Sequence, residues 1–199
     1  MYTPRPKGYF ERILAFDTET SGLFIGEKSP VSNDGEYYQV VSWGIIVLDA
    51  QTLETIEELY IEQQWDGKSI WSDKAEQVHG LSREYLKVNG VTREDAMTQI
   101  ASLIFKHWGS TPVVTLGHNS ITFDLPFIKH EAELADIDLR FGNRHLDSNT
   151  LGFTILNCFN SDDMFTELGF KQRAEHNALD DIRMTVKAFK ISRKLAGVV

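Results

Sequence analysis

Four carboxylates and one histidine, in three short segments far apart in the chain, are of types and at spacings that could hold divalent cations and activate water. The first segment is Phe16-Asp17-Thr18-Glu19-Thr20-Ser21-Gly22-Leu23, two acids two residues apart at the exit of the apolar run Ile13 to Phe16. On a strand, a period of two turns both side chains to one face. Side-by-side carboxylates at the end of a buried strand are costly unless a cation neutralises them, and hard divalent cations take oxygen ligands. Alone, Asp-x-Glu also fits two exposed acids that pair with lysines. The second segment, Gly117-His118-Asn119-Ser120-Ile121-Thr122-Phe123-Asp124, ends on an acid just inside a helix start, with His118-Asn119-Ser120 as turn and cap residues. Alone, Asp124 fits an acid that complements a helix dipole. The third segment is His176-Asn177-Ala178-Leu179-Asp180-Asp181. Asp180 shares a helix face with Arg183 and Lys187 and suits a solvated ion pair. Asp181 shares a face with Ala178, Thr185 and Ala188, beside Ile182, and points inward, where a metal would be a good partner. Alone, His176 fits a polar loop residue ahead of the helix.

Taken together and in this order, the three segments resemble the DEDDh class of DnaQ-like 3′→5′ exonucleases, which includes polymerase proofreading subunits, ribonuclease T and oligoribonuclease. The resemblance runs from about Ile13 to about Phe189. The family spacing His-x-x-x-x-Asp selects Asp181 with His176. The segment Ala75-Glu76-Gln77-Val78-His79-Gly80-Leu81-Ser82 is similar to a segment of these exonucleases that reads Ile-His-Gly-Ile. The resemblance implies two Mg²⁺ or Mn²⁺ ions held by Asp17, Glu19, Asp124 and Asp181, with Asp17 bridging both. It implies that His176 takes the proton of the attacking water, a task suited to an imidazole with its ordinary pKa near ~6.5, and that nucleoside 5′-monophosphates are released. A tyrosine in place of His176 would mark the sister class. The turn Thr20, Gly22, Leu23, with His79, Asn119 and Phe123, would contact the terminal nucleotide. His79 equally fits the end of a helix before Gly80. Phe24, Phe123 and Phe165 are candidates to stack on bases or to fill the core, and Lys171 and Arg173 to meet phosphates or to stay solvated. Arg193 and Lys194 suit the C-terminal dipole of the last helix.

The implied partner is the 3′ end of single-stranded DNA or RNA. A homodimer or a polymerase partner stays open, as does the pathway, proofreading, repair or RNA turnover among others. Two alternatives stand beside the main reading, an oligoribonuclease or RNA-trimming enzyme and a catalytically silent polymerase-associated scaffold. The complete set of five residues disfavours the scaffold.

The composition agrees. A net charge of −9 argues against coating long nucleic acid by charge alone, but not against gripping a strand end. The single cysteine, Cys158, rules out an internal disulfide and a thiolate metal site, and it sits in the apolar run Leu151 to Phe159, which suits buried packing. No apolar run is long enough to span a bilayer, and Met1 to Phe10 lacks the apolar stretch of a signal peptide, so no membrane partner and a cytoplasmic location are expected.

Positioning these residues requires a mixed sheet. Arg12–Thr18, Gln39–Leu48 and Thr55–Gln63 are expected as strands, the last two joined at Asp49-Ala50-Gln51-Thr52. Residues 24–38 form a loop, longer than the resemblance requires. Thr92 can cap a helix with Ala96, Ile100, Leu103 and Ile104 on one face. Pro112–Gly117 and Arg144–Leu146 read as short strands, Phe123–Leu134 and 148–159 as helices, and Asn160–Glu175 as irregular. Leu179, Ile182, Val186 and Phe189 mark a last amphipathic helix. The expected class is therefore α/β, and the resemblance implies a ribonuclease H-like five-stranded sheet, three antiparallel strands then parallel ones, flanked by helices. The expected organisation is a mobile arm at 1–10 and one exonuclease domain over 11–199.

Overall fold

The computed structural model describes residues 10–23, 31–32, 35–170 and 176–198. Residues 1–9 of the expected arm, Phe24, most of the 24–38 loop, Lys171 and Arg173 lie outside them.

Five strands form one sheet in the order β3-β2-β1-β4-β5. They are β1 (Arg12–Thr20), β2 (Val40–Asp49), β3 (Thr55–Glu62), β4 (Val113–Gly117) and β5 (Phe141–Asp147). β1 pairs antiparallel with β2 and β2 with β3, whereas β4 runs parallel to β1 and β5 parallel to β4. The expected mixed sheet is therefore present, with β5 longer than Arg144–Leu146.

β1 is central and covered on both faces, which explains why Ile13 to Phe16 are all buried. Its alternate residues enter two different cores. Leu14 and Phe16 pack with Ala96, Met97 and Ile100 of α3 (Arg93–Trp108) and with Phe127 and Ile128 of α4 (Asp124–Leu134). Ile13 and Ala15 pack with Ile182 and Val186 of α7 (Ala178–Leu195). By the same parity, Thr18 faces α4, while Asp17 and Glu19 face α7.

The helices start where the sequence offers caps. Thr92 accepts from the Asp95 N–H at 3.1 Å and opens α3 as expected. Asn177 Oδ1 accepts from the N–H groups of Leu179 and Asp180 and opens α7. α4 departs from expectation, because Phe123 occupies its cap position and no side chain caps it. Two short helices, α1 (Asp73–His79) and α2 (Arg83–Asn89), were not anticipated beyond the His79-Gly80 ending, where Gly80 caps α1 at φ 71°. α5 (Ser148–Leu156) stops earlier than expected, at Asn157 with φ 56°.

Residues 160–175 are not irregular throughout. Asn160 caps α6 (Ser161–Glu167), whose Met164 and Phe165 join Cys158 and Ala188 in a third core. That burial makes Phe165 a core residue rather than an exposed stacking platform, and Cys158 is buried there too. The run looked polar because only one face of α6 is apolar.

α4 is pinned by a buried ion pair. Glu131 is fully buried and accepts from Arg93 Nε at 2.6 Å, Gln63 Nε2 at 2.9 Å and the Val40 N–H at 3.1 Å. Arg93 also reaches Asp66 at 2.9 Å.

Candidate active site

The three motifs meet at the C-terminal end of β1. A cavity of about 210 Å³ is lined by Asp17, Glu19, Asp124, His176 and Asp181, with Asn119, Phe123 and Phe165 among its other walls. Each acid arrives by a separate route. Asp17 and Glu19 are presented by β1 on the α7 side, Asp17 half-buried and Glu19 buried. Asp181 comes from the first turn of α7, and Asp124 from the first turn of α4 on the other face of the sheet.

Thr18 is the link across the sheet. Its N–H and its hydroxyl both donate to Asp124 Oδ1, at 2.9 and 2.6 Å, between residues 106 apart in sequence. Burial pushes the Asp124 carboxyl up to about 7, against those two Thr18 bonds, and the nearby Asp147 carboxylate adds to the rise. Asp124 is thus not a solvated dipole acid. It is a buried carboxyl that a cation would keep ionised.

The other side of the cavity is tighter. Glu19, His176 and Asp181 each offer one ligand atom, all within 4.8 Å of one another. His176 Nδ1 lies 3.1 Å from Asp181 Oδ2. Asp180 points away and pairs with Arg183 at 2.9 Å, as its face predicts, and Arg183 also pairs with Glu58 on β3. Lys187 does not join them. It lies 4.7 Å from the centre of the Phe170 ring. These are hard oxygen and imidazole donors in a shared cavity, so the residue set fits divalent cations.

A second cavity of about 230 Å³ adjoins the first through Thr18, Glu19 and Phe123. Thr20, Gly22, Leu23 and His79 line it, so the remaining expected contact residues are also brought together. Thr20 Oγ1 donates to the Gly22 carbonyl at 2.8 Å and tightens the turn. A Cβ on Gly22 would sit 2.3 Å from the Tyr38 ring, so a side chain there would displace that ring. Leu23 is 73% exposed at the rim, an apolar side chain held out over the cavity. His79 is buried, and burial lowers its pKa to about 4, so it is neutral at pH 7. Its Nδ1 accepts from the Leu81 N–H at 3.0 Å, which puts its proton on Nε2, beside the Thr20 backbone. His79 therefore both ends α1 and lines the cavity.

Several positioning residues have no motif in the sequence. Gly44 pairs with Asp17 across β1 and β2, and a Cβ there would meet the Ala178 backbone at 2.2 Å, so Gly44 is what lets α7 approach the acids. Asp147 Oδ1 accepts from the N–H groups of Asn119 and Asn149, both at 2.9 Å, and fixes Asn119 at φ 53°. A strand-to-helix junction reading Asp-Ser-Asn could have suggested Asp147 as a cap. α1 connects the first motif to the third, because the Ser72 N–H donates to the Ser21 carbonyl at 2.7 Å and the His176 N–H to the Val78 carbonyl at 3.0 Å.

Comparison with known proteins is consistent with this geometry. The exonuclease family model matches residues 14–189. No curated protein matches the sequence. Among solved structures, E. coli exonuclease I in complex with a dT13 oligonucleotide superposes with a TM-score of 0.75 at 15% identity, covering 92% of this chain and 41% of that one. The zinc-bound form of its complex with single-stranded DNA gives 0.75 at 16%, covering 93% and 41%. Its complex with a dA16 oligonucleotide gives 0.73 at 15%, covering 93% and 41%. The chain thus spans about two-fifths of the length of exonuclease I, and at this identity the likeness is one of fold. Among the described residues, no helix is long and apolar enough to cross a membrane.

Proposed function

From the premise that this chain belongs to the exonuclease family, as a DnaQ-like member with the ribonuclease H-like fold, we propose that it is a metal-dependent 3′→5′ exonuclease of single-stranded DNA or RNA ends. The products are nucleoside 5′-monophosphates, and residues 11–199 act as one exonuclease unit. The observation that carries the reading is the convergence of all five motif residues on one cavity. Exonuclease I has been seen with single-stranded oligonucleotides and with zinc, which supports a single strand as substrate and a divalent ion at the site.

Asp17, Glu19, Asp124 and Asp181 would hold two divalent cations, Mg²⁺ or Mn²⁺, which supply Lewis-acid activation of the phosphodiester and of water. The remaining work falls to the protein. His176 accepts the proton of the attacking water. An Nδ1–H donated to Asp181 fixes the imidazole tautomer and leaves its basic lone pair on Nε2. Thr18 orients Asp124 and limits the cost of its ionisation. Thr20, Gly22, Leu23 and His79 seat the terminal nucleotide, with Phe123 at the junction of the two cavities and Asn119 on the wall of the first. A neutral His79 can lie against an uncharged base without burying a charge.

The test is hydrolysis of 5′-labelled single-stranded DNA and RNA with Mg²⁺ or Mn²⁺. A ladder shortening from the 3′ end is expected, and the faster polymer names the sugar preference. Asp17→Ala should abolish it. His176→Ala should lower kcat by ~10²–10⁴ while metal still raises the melting temperature. Folded, metal-bound protein that shortens neither polymer nor very short oligonucleotides would overturn the reading in favour of a silent scaffold.

A further inference from the structure

An acidic chain repels a polyanion, so the strand beyond the cleaved bond needs a surface that does not. One segment stands out. A quarter of the chain is charged, yet the fourteen consecutive residues from Ser148 to Ser161 carry no charge. They form α5, the connection after it and the first residue of α6. Three large apolar side chains protrude from this stretch, with Phe153 51%, Ile155 38% and Phe159 65% exposed. The Phe153 and Phe159 rings lie 5.0 Å apart, tilted by 36°. Single exposed apolar residues are ordinary, but a contiguous group marks a contact surface.

The group is continuous with the catalytic cavity. Asn149 Nδ2 donates to the Phe159 carbonyl at 2.8 Å. The Asn149 N–H shares Asp147 Oδ1 with the N–H of Asn119, and Asn119 lines the cavity. Ser161, two residues beyond Phe159, lines it as well. The recess of Thr20, Leu23 and His79 meets the same cavity through Thr18, Glu19 and Phe123, not through Asn119 or Ser161. A strand with its terminal nucleotide in that recess and its scissile bond in the cavity would then have the Asn119–Ser161 wall, and the α5–α6 side behind it, open to its remaining nucleotides.

We infer that Phe153 and Phe159 form a stacking shelf for the bases of the single strand upstream of the bond to be cut. The inference rests on the exonuclease reading above. Base stacking on aromatic rings tolerates any sequence and needs no cationic partner, which suits an uncharged shelf on an acidic chain. The continuity with the cavity favours a nucleic-acid strand over a protein partner.

The experiment compares wild type with the double variant Phe153→Leu/Phe159→Leu, which keeps apolar bulk without a π-face, and with Phe153→Trp/Phe159→Trp. Steady-state hydrolysis is measured on a single strand of about a dozen nucleotides and on a dinucleotide, and binding of the labelled longer strand is read by fluorescence anisotropy with Ca²⁺ in place of the working ion. The leucine variant should raise KM and Kd for the longer strand at least about fivefold, with kcat and dinucleotide hydrolysis unchanged, and the tryptophan variant should hold wild-type affinity. Equal KM for both proteins on the longer strand overturns the shelf, as does an equal loss on both substrates. Loss of self-association instead of strand affinity, by sedimentation, overturns it in favour of a protein contact. If wild type binds the strand but does not cut it, the anisotropy comparison still decides the shelf, and only the exonuclease reading falls.

Discussion

Replacing Gly44 by alanine should disable the site without touching any motif residue. Gly44 lies opposite Asp17 in β2, and its open face receives the first turn of α7. An added Cβ would sit 2.2 Å from the Ala178 carbonyl carbon and oxygen and 2.3 Å from the Leu179 nitrogen. Ordinary contact begins at 3.4 Å, so α7 or β2 must retreat by about 1.2 Å, the difference between 3.4 and 2.2. The obstacle is backbone, which no rotamer change relieves. Ala178 stands two residues after His176 and three before Asp181, so the retreat carries both away from Glu19. A displacement of this size costs ~10²-fold in rate, and overpacking of this kind costs ~1–3 kcal/mol of stability. The assay pairs kcat on a labelled single strand with thermal melting. Gly67→Ala serves as control, because Gly67 has φ +77° with open space around it, so the substitution strains the backbone but displaces nothing near the acids. Gly44→Ala with kcat within about twofold of wild type would refute the argument that this glycine sets the position of α7.

Other consequences are equally open to measurement. Asp124 has its folded pKa raised above the unfolded value, so the stability it contributes is full below the ordinary carboxylate range and lost as pH rises through about 7. Melting of the metal-free protein should therefore fall from mildly acidic to alkaline pH more steeply than that of Asp124→Asn, and Mn²⁺ should raise the melting temperature more at the alkaline end. Thr18→Val removes the hydroxyl donor to Asp124 but keeps the backbone one, and should cost about 1–3 kcal/mol of stability, with weaker Mn²⁺ binding in a calorimetric titration. Arg93→Ala leaves Glu131 buried without its cation and should cost about 3–5 kcal/mol in urea unfolding.

Much of the site was legible because it is local. The two-residue spacing of Asp17 and Glu19 puts them on one face of a strand, and helical spacing separates the inward Asp181 from the solvated Asp180. Periodicity within an element suffices for both. The strands were legible for the same reason, whereas α1, α2 and α6 were not, since seven-residue helices give too few turns for a period to show. Phe165 stayed open between core and platform in the sequence because an aromatic at a polar boundary looks alike whether it faces solvent or, as here, Cys158 and Ala188.

The sequence by itself picked out the candidate residues, the face of its own element that each occupies, and the class of fold able to bring them together. The tertiary structure decided what those faces meet. β1 lies between β2 and β4, so Thr18 turns to α4 and binds Asp124, while Asp17 and Glu19 turn to α7. The approach of α7 at Gly44, the clamp of Asp147 on Asn119 and the reach of α1 from Ser21 to His176 are contacts between elements distant along the chain. Their distances depend on strand order and on how closely two backbones pack, and neither leaves a periodic trace in the residues that make the contact.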